Sequence, residues 1–220
     1  MLKKYFLQVL IITLFSSFVY CQDNTADTVR RNEQKNGWHY YAEGKYRKSL
    51  EYLEAERKEY PNRINIFSIM GWDYRELKQF SQMENISLEG LKINPTDVRI
   101  IKNLAEAYFY QSKFQKAIDS FEKYLKYRYQ KNDPYLASIY YFLGYSYLKT
   151  DSYHKADIAL STANYYKKNN LLTYVYLGET NEKLEKYNKA VEYYNLALKL
   201  QPGNKIANEG IVRVQAKVNE

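Results

Sequence analysis

The stretch 101–121, Ile-Lys-Asn-Leu-Ala-Glu-Ala-Tyr-Phe-Tyr-Gln-Ser-Lys-Phe-Gln-Lys-Ala-Ile-Asp-Ser-Phe, decides the fold. Its slots are Ile101, Leu104, Ala105, Tyr108, Phe114, Ala117 and Phe121, and the same arrangement recurs on both sides. Gly or Ala stands at 37, 71, 105, 144 and 178, at steps of 34, 34, 39 and 34 residues. Three residues after these come Tyr40, Tyr74, Tyr108 and Tyr147, with Asn181 breaking the series. Nine residues after the small residue there is always an aromatic: Tyr46, Phe80, Phe114, Tyr153 and Tyr187. Ser49, Met83, Ala117, Ala156 and Ala190 follow three positions later. Self-similarity at this period denotes a helical solenoid.

The slots have physical reasons. A residue with little or no side chain at 37, 71, 105, 144 and 178 lets the two helices of a hairpin approach closely. The aromatics at 46, 80, 114, 153 and 187 start the second helix and fill the wedge between neighbouring repeats. Small residues such as Ala117, Ala156 and Ala190 mark another close crossing. A repeat alone cannot bury both its faces, so stability comes from stacking. Pro61, Pro95 and Pro202 sit 24 residues after a small residue and end a helix, lacking the amide donor and restricting the residue before them.

These residues resemble the tetratricopeptide repeat (TPR) pattern, W-x2-L-G-x2-Y, then A-x3-F, then P. Repeat two offers Phe67, Met70, Gly71, Tyr74, Phe80, Met83 and Pro95. Repeat five offers Tyr174, Leu177, Gly178, Tyr187, Ala190, Tyr194, Ala197 and Pro202. The resemblance implies an all-α, right-handed superhelical solenoid of five helix-turn-helix repeats at 30–63, 64–97, 98–131, 137–170 and 171–204. An insertion at 132–136 explains the long step; there Asp133 can cap and Pro134 open the next helix. Residues 205–220 carry Ile206, Ala207, Ile211, Val214 and Val218 at helical spacing and are predicted to form a C-terminal capping helix. Glu33 and Asn36 replace apolar residues in repeat one, as expected where no repeat precedes it.

Residues 1–21 read as a signal peptide: Lys3 and Lys4 precede an apolar run from Tyr5 to Tyr20, and the chain turns polar at Gln22. An uncleaved anchor is disfavoured by the shortness of the run and by Gln8, Thr13, Ser16 and Ser17. Cys21, the only cysteine, resembles the lipidated cysteine of bacterial lipoproteins, although Tyr20 stands where that pattern has a small residue. Two outcomes stay open: a soluble product that starts at Gln22, and a possible lipidation and membrane tether at Cys21. Residues 22–29 form a polar linker. An exported protein, periplasmic or associated with the outer envelope, is expected.

Aromatics make up 17% of the 220 residues and include 26 tyrosines, which is ample material for a core. Removing the leader leaves 31 basic against 25 acidic residues, spread without a basic run. With export added, this argues against nucleic acid as a partner. His39 and His154 are far apart with no ligand near either, so no metal or other cofactor is expected. No catalytic motif is found, and the chain is read as non-enzymatic. Glu51, Glu54 and Glu56 read as a solvated helix face. Asn85-Ile86-Ser87 matches a glycosylation acceptor by chance, inside a predicted helix.

In the TPR family the first helix of each hairpin lines a concave groove. The residue after the small residue then faces it (Trp38, Trp72, Glu106, Tyr145, Glu179), and so does the residue after the Tyr slot (Tyr41, Arg75, Phe109, Leu148, Glu182). Gln34, Ser68, Lys102, Tyr141 and Val175 lie one turn earlier, with Arg31, Asn65 and Arg99 nearer the helix starts. The two tryptophans offer large contact area at small entropic cost. With Arg31, Arg75, Arg99 and Lys102, they suit an extended peptide with acidic and apolar side chains. The carboxylate clamp of chaperone-binding relatives is absent, since Gln34, Trp38 and Glu106 occupy its slots beside Lys102. A protein-interaction scaffold in a bacterial cell envelope, binding a protein or peptide partner, is the expected function. The alternative is a small-ligand or peptidoglycan-binding protein that uses the same aromatic groove.

Overall fold

The structure, a computed structural model, describes residues 36–128 and 132–219. Arg31, Cys21, the leader at 1–21 and the linker at 22–29 lie outside the described residues. Among those described, eleven helices and no strand form a helical-repeat solenoid. The hairpins are α1 (Gly37–Ala42) with α2 (Tyr46–Glu59), α3 (Ile64–Glu76) with α4 (Phe80–Ile93), and α5 (Val98–Tyr110) with α6 (Phe114–Tyr127). They continue as α7 (Leu136–Lys149) with α8 (Tyr153–Tyr166) and α9 (Leu171–Lys183) with α10 (Tyr187–Leu200), and α11 (Lys205–Val218) follows singly. No described helix is long and apolar enough to cross a membrane.

Every hairpin turns in the same way. Gly44, Lys78, Ser112, Asp151 and Glu185 have φ between 56° and 73°, the left-handed region, two residues before each second helix. That bend brings the next N–H back onto the carbonyl five residues earlier: Lys45 to Tyr40, Gln79 to Tyr74, Lys113 to Tyr108, Ser152 to Tyr147 and Lys186 to Asn181. These bonds satisfy carbonyls that a helix end would otherwise leave open. Asn181 supports the bond as well as the tyrosines do, because only its backbone is used. Between hairpins the four prolines share one role. Pro61, Pro95, Pro134 and Pro202 each follow the first residue of a turn, closed by Arg63 N–H on Tyr60, Asp97 on Asn94, Leu136 on Asp133 and Asn204 on Gln201. The insertion thus rebuilds the missing turn, but Pro134 sits within it and the helix opens at Leu136. Asn36, Asp97, Asn170 and Asn204 cap first helices with side-chain oxygens.

The chain divides into two compact units, residues up to Ala55 and from Glu56 onward. In the first unit, Gly37 faces Leu53, where an added Cβ would stand 2.3 Å from Cγ, and Ser49 Oγ donates to the Gly37 carbonyl at 2.8 Å. In the second unit, each first helix touches the next first helix, whereas the second helices do not touch one another. The first helices α3, α5, α7, α9 and then α11 therefore form the inner layer, and the second helices the outer one.

The crossings follow a rule with one exception. Sixteen residues after the small residue comes a fully buried partner: Phe121 for Ala105, Leu160 for Gly144 and Tyr194 for Gly178. At Gly71 that partner is Ser87, too small to fill the space, and the Asn103 amide from the next repeat enters instead. An added Cβ at Gly71 would stand 2.3 Å from Asn103 Nδ2, which donates to the Ser68 carbonyl at 3.0 Å. Gly71 thus makes room between repeats, not within its own hairpin.

At Gly144 a Cβ would lie 2.5 Å from Leu160 Cγ and 3.0 Å from its backbone nitrogen, whereas Gly203 has nothing within 4 Å. Gly144→Ala is therefore expected to destabilise the fold by about 1–3 kcal/mol through overpacking. Gly203→Ala should leave the denaturation midpoint near that of the parent, and equal midpoints for both variants would contradict the crossing.

Candidate functional site

The inner layer carries a run of touching aromatic rings. Phe109 on α5 meets Phe142 and Tyr145 on α7, at centroid distances of 4.6 and 5.4 Å. Tyr145 meets Tyr176 on α9 at 4.6 Å, and Tyr141 meets the same ring at 6.0 Å. Phe109, Tyr141, Tyr145 and Tyr176 are all half-buried, so each has one side in the ladder and some surface left over. Burial, and then Tyr176, push the Tyr141 phenol well above its ordinary value. The Tyr141 hydroxyl therefore stays a neutral donor at physiological pH.

Three predicted groove residues, Phe109, Tyr141 and Tyr145, thus come together in one ladder. Tyr176 completes it and was not anticipated. Val175, the residue expected to face the groove on α9, is fully buried, as is Ser68 on α3. The helical step places Tyr176 where Val175 was expected.

The predicted cations are arranged differently from expectation. Arg75 pairs with Glu76 at 2.7 Å and reaches Glu106 at 3.5 Å. Arg99 pairs with its own helix cap, Asp97, at 2.7 Å and donates to Asn65 at 2.8 Å. Lys102 is buried, 2.9 Å from Glu106 and 4.7 Å from the Tyr135 ring centroid. Each of these three charges already has a carboxylate partner, Arg75 and Arg99 in partly exposed pairs and Lys102 in a buried one. Trp72, half-buried, lines a cavity of about 220 Å³ with Val98, Lys102, Tyr124 and Tyr135. One wall of that cavity is the insertion, held by Tyr124, whose hydroxyl donates to Asp133 at 2.6 Å. In the first unit Trp38 is 50% exposed and stacks on Tyr41 at 5.6 Å.

A larger cradle of about 790 Å³ opens at the other end of the ladder, lined by α7, α9 and α11 with Asp151 and Tyr153. Its floor is an ionic cluster. Glu182 accepts from Arg213 Nε at 3.1 Å and Nη2 at 3.0 Å, and from the Tyr194 hydroxyl at 3.0 Å. The Tyr194 ring fits between Gly178 and Gly210, where an added Cβ would stand within 2.5 Å. Burial alone would raise the Glu182 carboxyl, but the hydrogen bonds from Arg213 and Tyr194 outweigh it and leave the group below its ordinary value. Glu179 is raised by burial, against the pull of Lys149 and Arg213. Among the described residues no group of three metal-ligating side chains converges.

A depressed carboxyl stabilises the folded state above its unfolded pKa, and that contribution fades as pH falls through the lowered value. Glu182→Gln should cost about 1–2 kcal/mol at neutral pH by weakening charge-assisted hydrogen bonds. The gap between variant and parent should narrow below about pH 4, where carboxylates protonate. A pH series of urea denaturation curves measures this, and a gap independent of pH would show that the Glu182 charge contributes nothing.

Models of the tetratricopeptide repeat match residues 102–162 and 172–204. No curated protein matches the chain. Among solved structures, MamA from Desulfovibrio magneticus RS-1 is similar at 17% identity and TM-score 0.67, over 81% of this chain and 96% of that one. YrrB, a TPR protein with an unusual peptide-binding site, is similar at 14% identity and TM-score 0.68, over 77% of this chain and 85% of that one. A chain of the anaphase-promoting-complex assembly Cut9–Hcn1 is similar at 17% identity and TM-score 0.67, over 81% of this chain but only 35% of that one.

Proposed function

The chain is a tetratricopeptide-repeat protein, and from that premise we propose that it is a non-enzymatic scaffold whose inner layer binds an extended segment of a partner protein. One observation carries the proposal: the half-buried ladder of Phe109, Tyr145, Tyr141 and Tyr176 across three successive first helices. Aromatic rings held rigid by their neighbours offer contact area at little entropic cost. A chain laid across the stack touches each repeat in turn, which is how solenoids use a concave surface. The peptide-binding site of YrrB supports this by likeness of fold, an analogy that names no partner. The proposal places the protein in a bacterial cell envelope, exported by its leader and either soluble from Gln22 or tethered through Cys21.

Two experiments test it. A photoreactive phenylalanine at Tyr141 should trap protein partners in envelope extracts that the same group at Tyr165 does not; Tyr165 lies on the outer helix α8 and is 78% exposed. No adduct from position 141, or the same adducts from both, overturns the groove as the binding face. Mass spectrometry of the purified protein's N-terminus should find either a chain starting at Gln22 or an acylated Cys21. An intact Met1 with the leader attached contradicts export by cleavage.

A further inference from the structure

Lys149, Lys183 and Lys217 are 34 residues apart, and they fall near the ends of α7, α9 and α11. The period puts one ammonium group at the same place on three successive inner helices, and all three line the cradle of about 790 Å³. All are exposed, and none has a carboxylate within ion-pair distance among the described residues. Lys149 rests over the Tyr145 ring, 5.1 Å from its centroid, which joins the lysine column to the aromatic ladder. The acids of the cradle make no ion pair with the column, although Glu179 feels the charges of Lys149 and Lys183, and Glu182 that of Lys217. Glu182 is held by Arg213, and Asp151 accepts from the Tyr153 hydroxyl at 2.5 Å. Glu179 is half-buried beneath the column and makes no ion pair. The front of the inner layer differs, because its Arg75, Arg99 and Lys102 are each paired with a carboxylate.

We propose that this column is the acid-reading half of the binding face, and that the partner segment is an extended peptide with carboxylates at every third residue beside apolar side chains. The proposal rests on the groove reading above and adds the chemistry of its occupant. Packed helices lie roughly 8–10 Å apart. A segment in the extended polyproline II conformation advances roughly 3.1 Å per residue and repeats every three residues, so carboxylates at i, i+3 and i+6 lie on one face and meet successive lysines. Apolar residues on the same segment lie against Tyr145 and Tyr176. The concave cradle favours a single extended chain over a bilayer surface, which is flat and would reach only its rim. Unpaired lysines with nearby aromatic rings give both salt-sensitive attraction and a contact that survives salt.

The test uses a fluorescein-labelled peptide with Asp at every third position between serines, flanked by leucines, and its Asn counterpart. With the full mature chain, the Asp peptide should bind at least tenfold more tightly than the Asn peptide and weaken as salt rises. Each of Lys149→Gln, Lys183→Gln and Lys217→Gln should weaken it roughly two- to fivefold, the range of exposed ion pairs. The triple variant should lose most of the discrimination, and Lys189→Gln on outer helix α10 should lose none. Equal binding of Asp and Asn peptides, or a triple variant that still discriminates, overturns the proposal. So does lysine-dependent binding to phosphatidylglycerol vesicles with no peptide binding, which would assign the column to a membrane. Unchanged helical circular dichroism and melting show that the variants are folded. If position 141 still traps a protein while the Asp peptide fails, only the acidic preference falls; if position 141 traps nothing, the groove falls first.

Discussion

Everything in this fold depends on the close approach of the two helices in each hairpin. The approach exists only where one wall has almost no side chain. Gly144 and Gly178 leave space that Leu160 and Tyr194 fill completely. Because the turn is fixed by a left-handed residue and a backbone hydrogen bond, every hairpin arrives with the same geometry, and stacking propagates it. Within the second unit the inner helices then touch their successors while the outer helices do not. Its inner and outer faces follow from that difference in contact.

Tyr194 shows how α11 is secured. Each repeat leaves a face for the next element to cover, and α11 covers that of α9 and α10. Gly178 on one side and Gly210 on the other let the Tyr194 ring lie between α9 and α11. Its hydroxyl then reaches the carboxylate that Arg213 of α11 also grips. Packing and charge fix the same helix, and this places Lys217 in line with Lys149 and Lys183.

The period made the fold legible, since its slots are packing positions and packing recurs. The left-handed turns were less so: Lys78, Ser112, Asp151 and Glu185 share no side-chain property with Gly44, because a conformation is repeated there and not a residue type. Asn103 was hidden for a related reason. It answers a vacancy left by Gly71 and Ser87 in another repeat, which a reading of one repeat at a time does not connect. The aromatic ladder of the candidate site was legible in part. Phe109, Tyr141 and Tyr145 were found from the slots flanking the packing positions, while Tyr176 fell one residue from the slot considered. A count of charges, in which Arg31, Lys35, Arg75, Arg99 and Lys102 outnumber Glu76 and Glu106, does not show which are paired. Asp97 is close at hand in sequence as the partner of Arg99, but Glu106 is brought to Arg75 from 31 residues away by the stacking of α5 on α3.

Columns that packing leaves unconstrained are where such a chain can differ from its relatives. One slot runs Ala42, Glu76, Tyr110, Lys149, Lys183 and Lys217, once the inserted residues are allowed for. Every residue in it is exposed, so no core requirement selects its members. Its character nevertheless changes in order, from acid through aromatic to three lysines. The acid, Glu76, is paired with Arg75, and the aromatic, Tyr110, is stacked on Phe80 at 4.5 Å. The lysines make no ion pair with a described side chain, and only the longer-range fields of Glu179 and Glu182 reach them. In a fold whose geometry is set by small residues at fixed intervals, an exposed charge repeated at that same interval is a property of the surface and not of the core. It is therefore the feature most directly available to a partner.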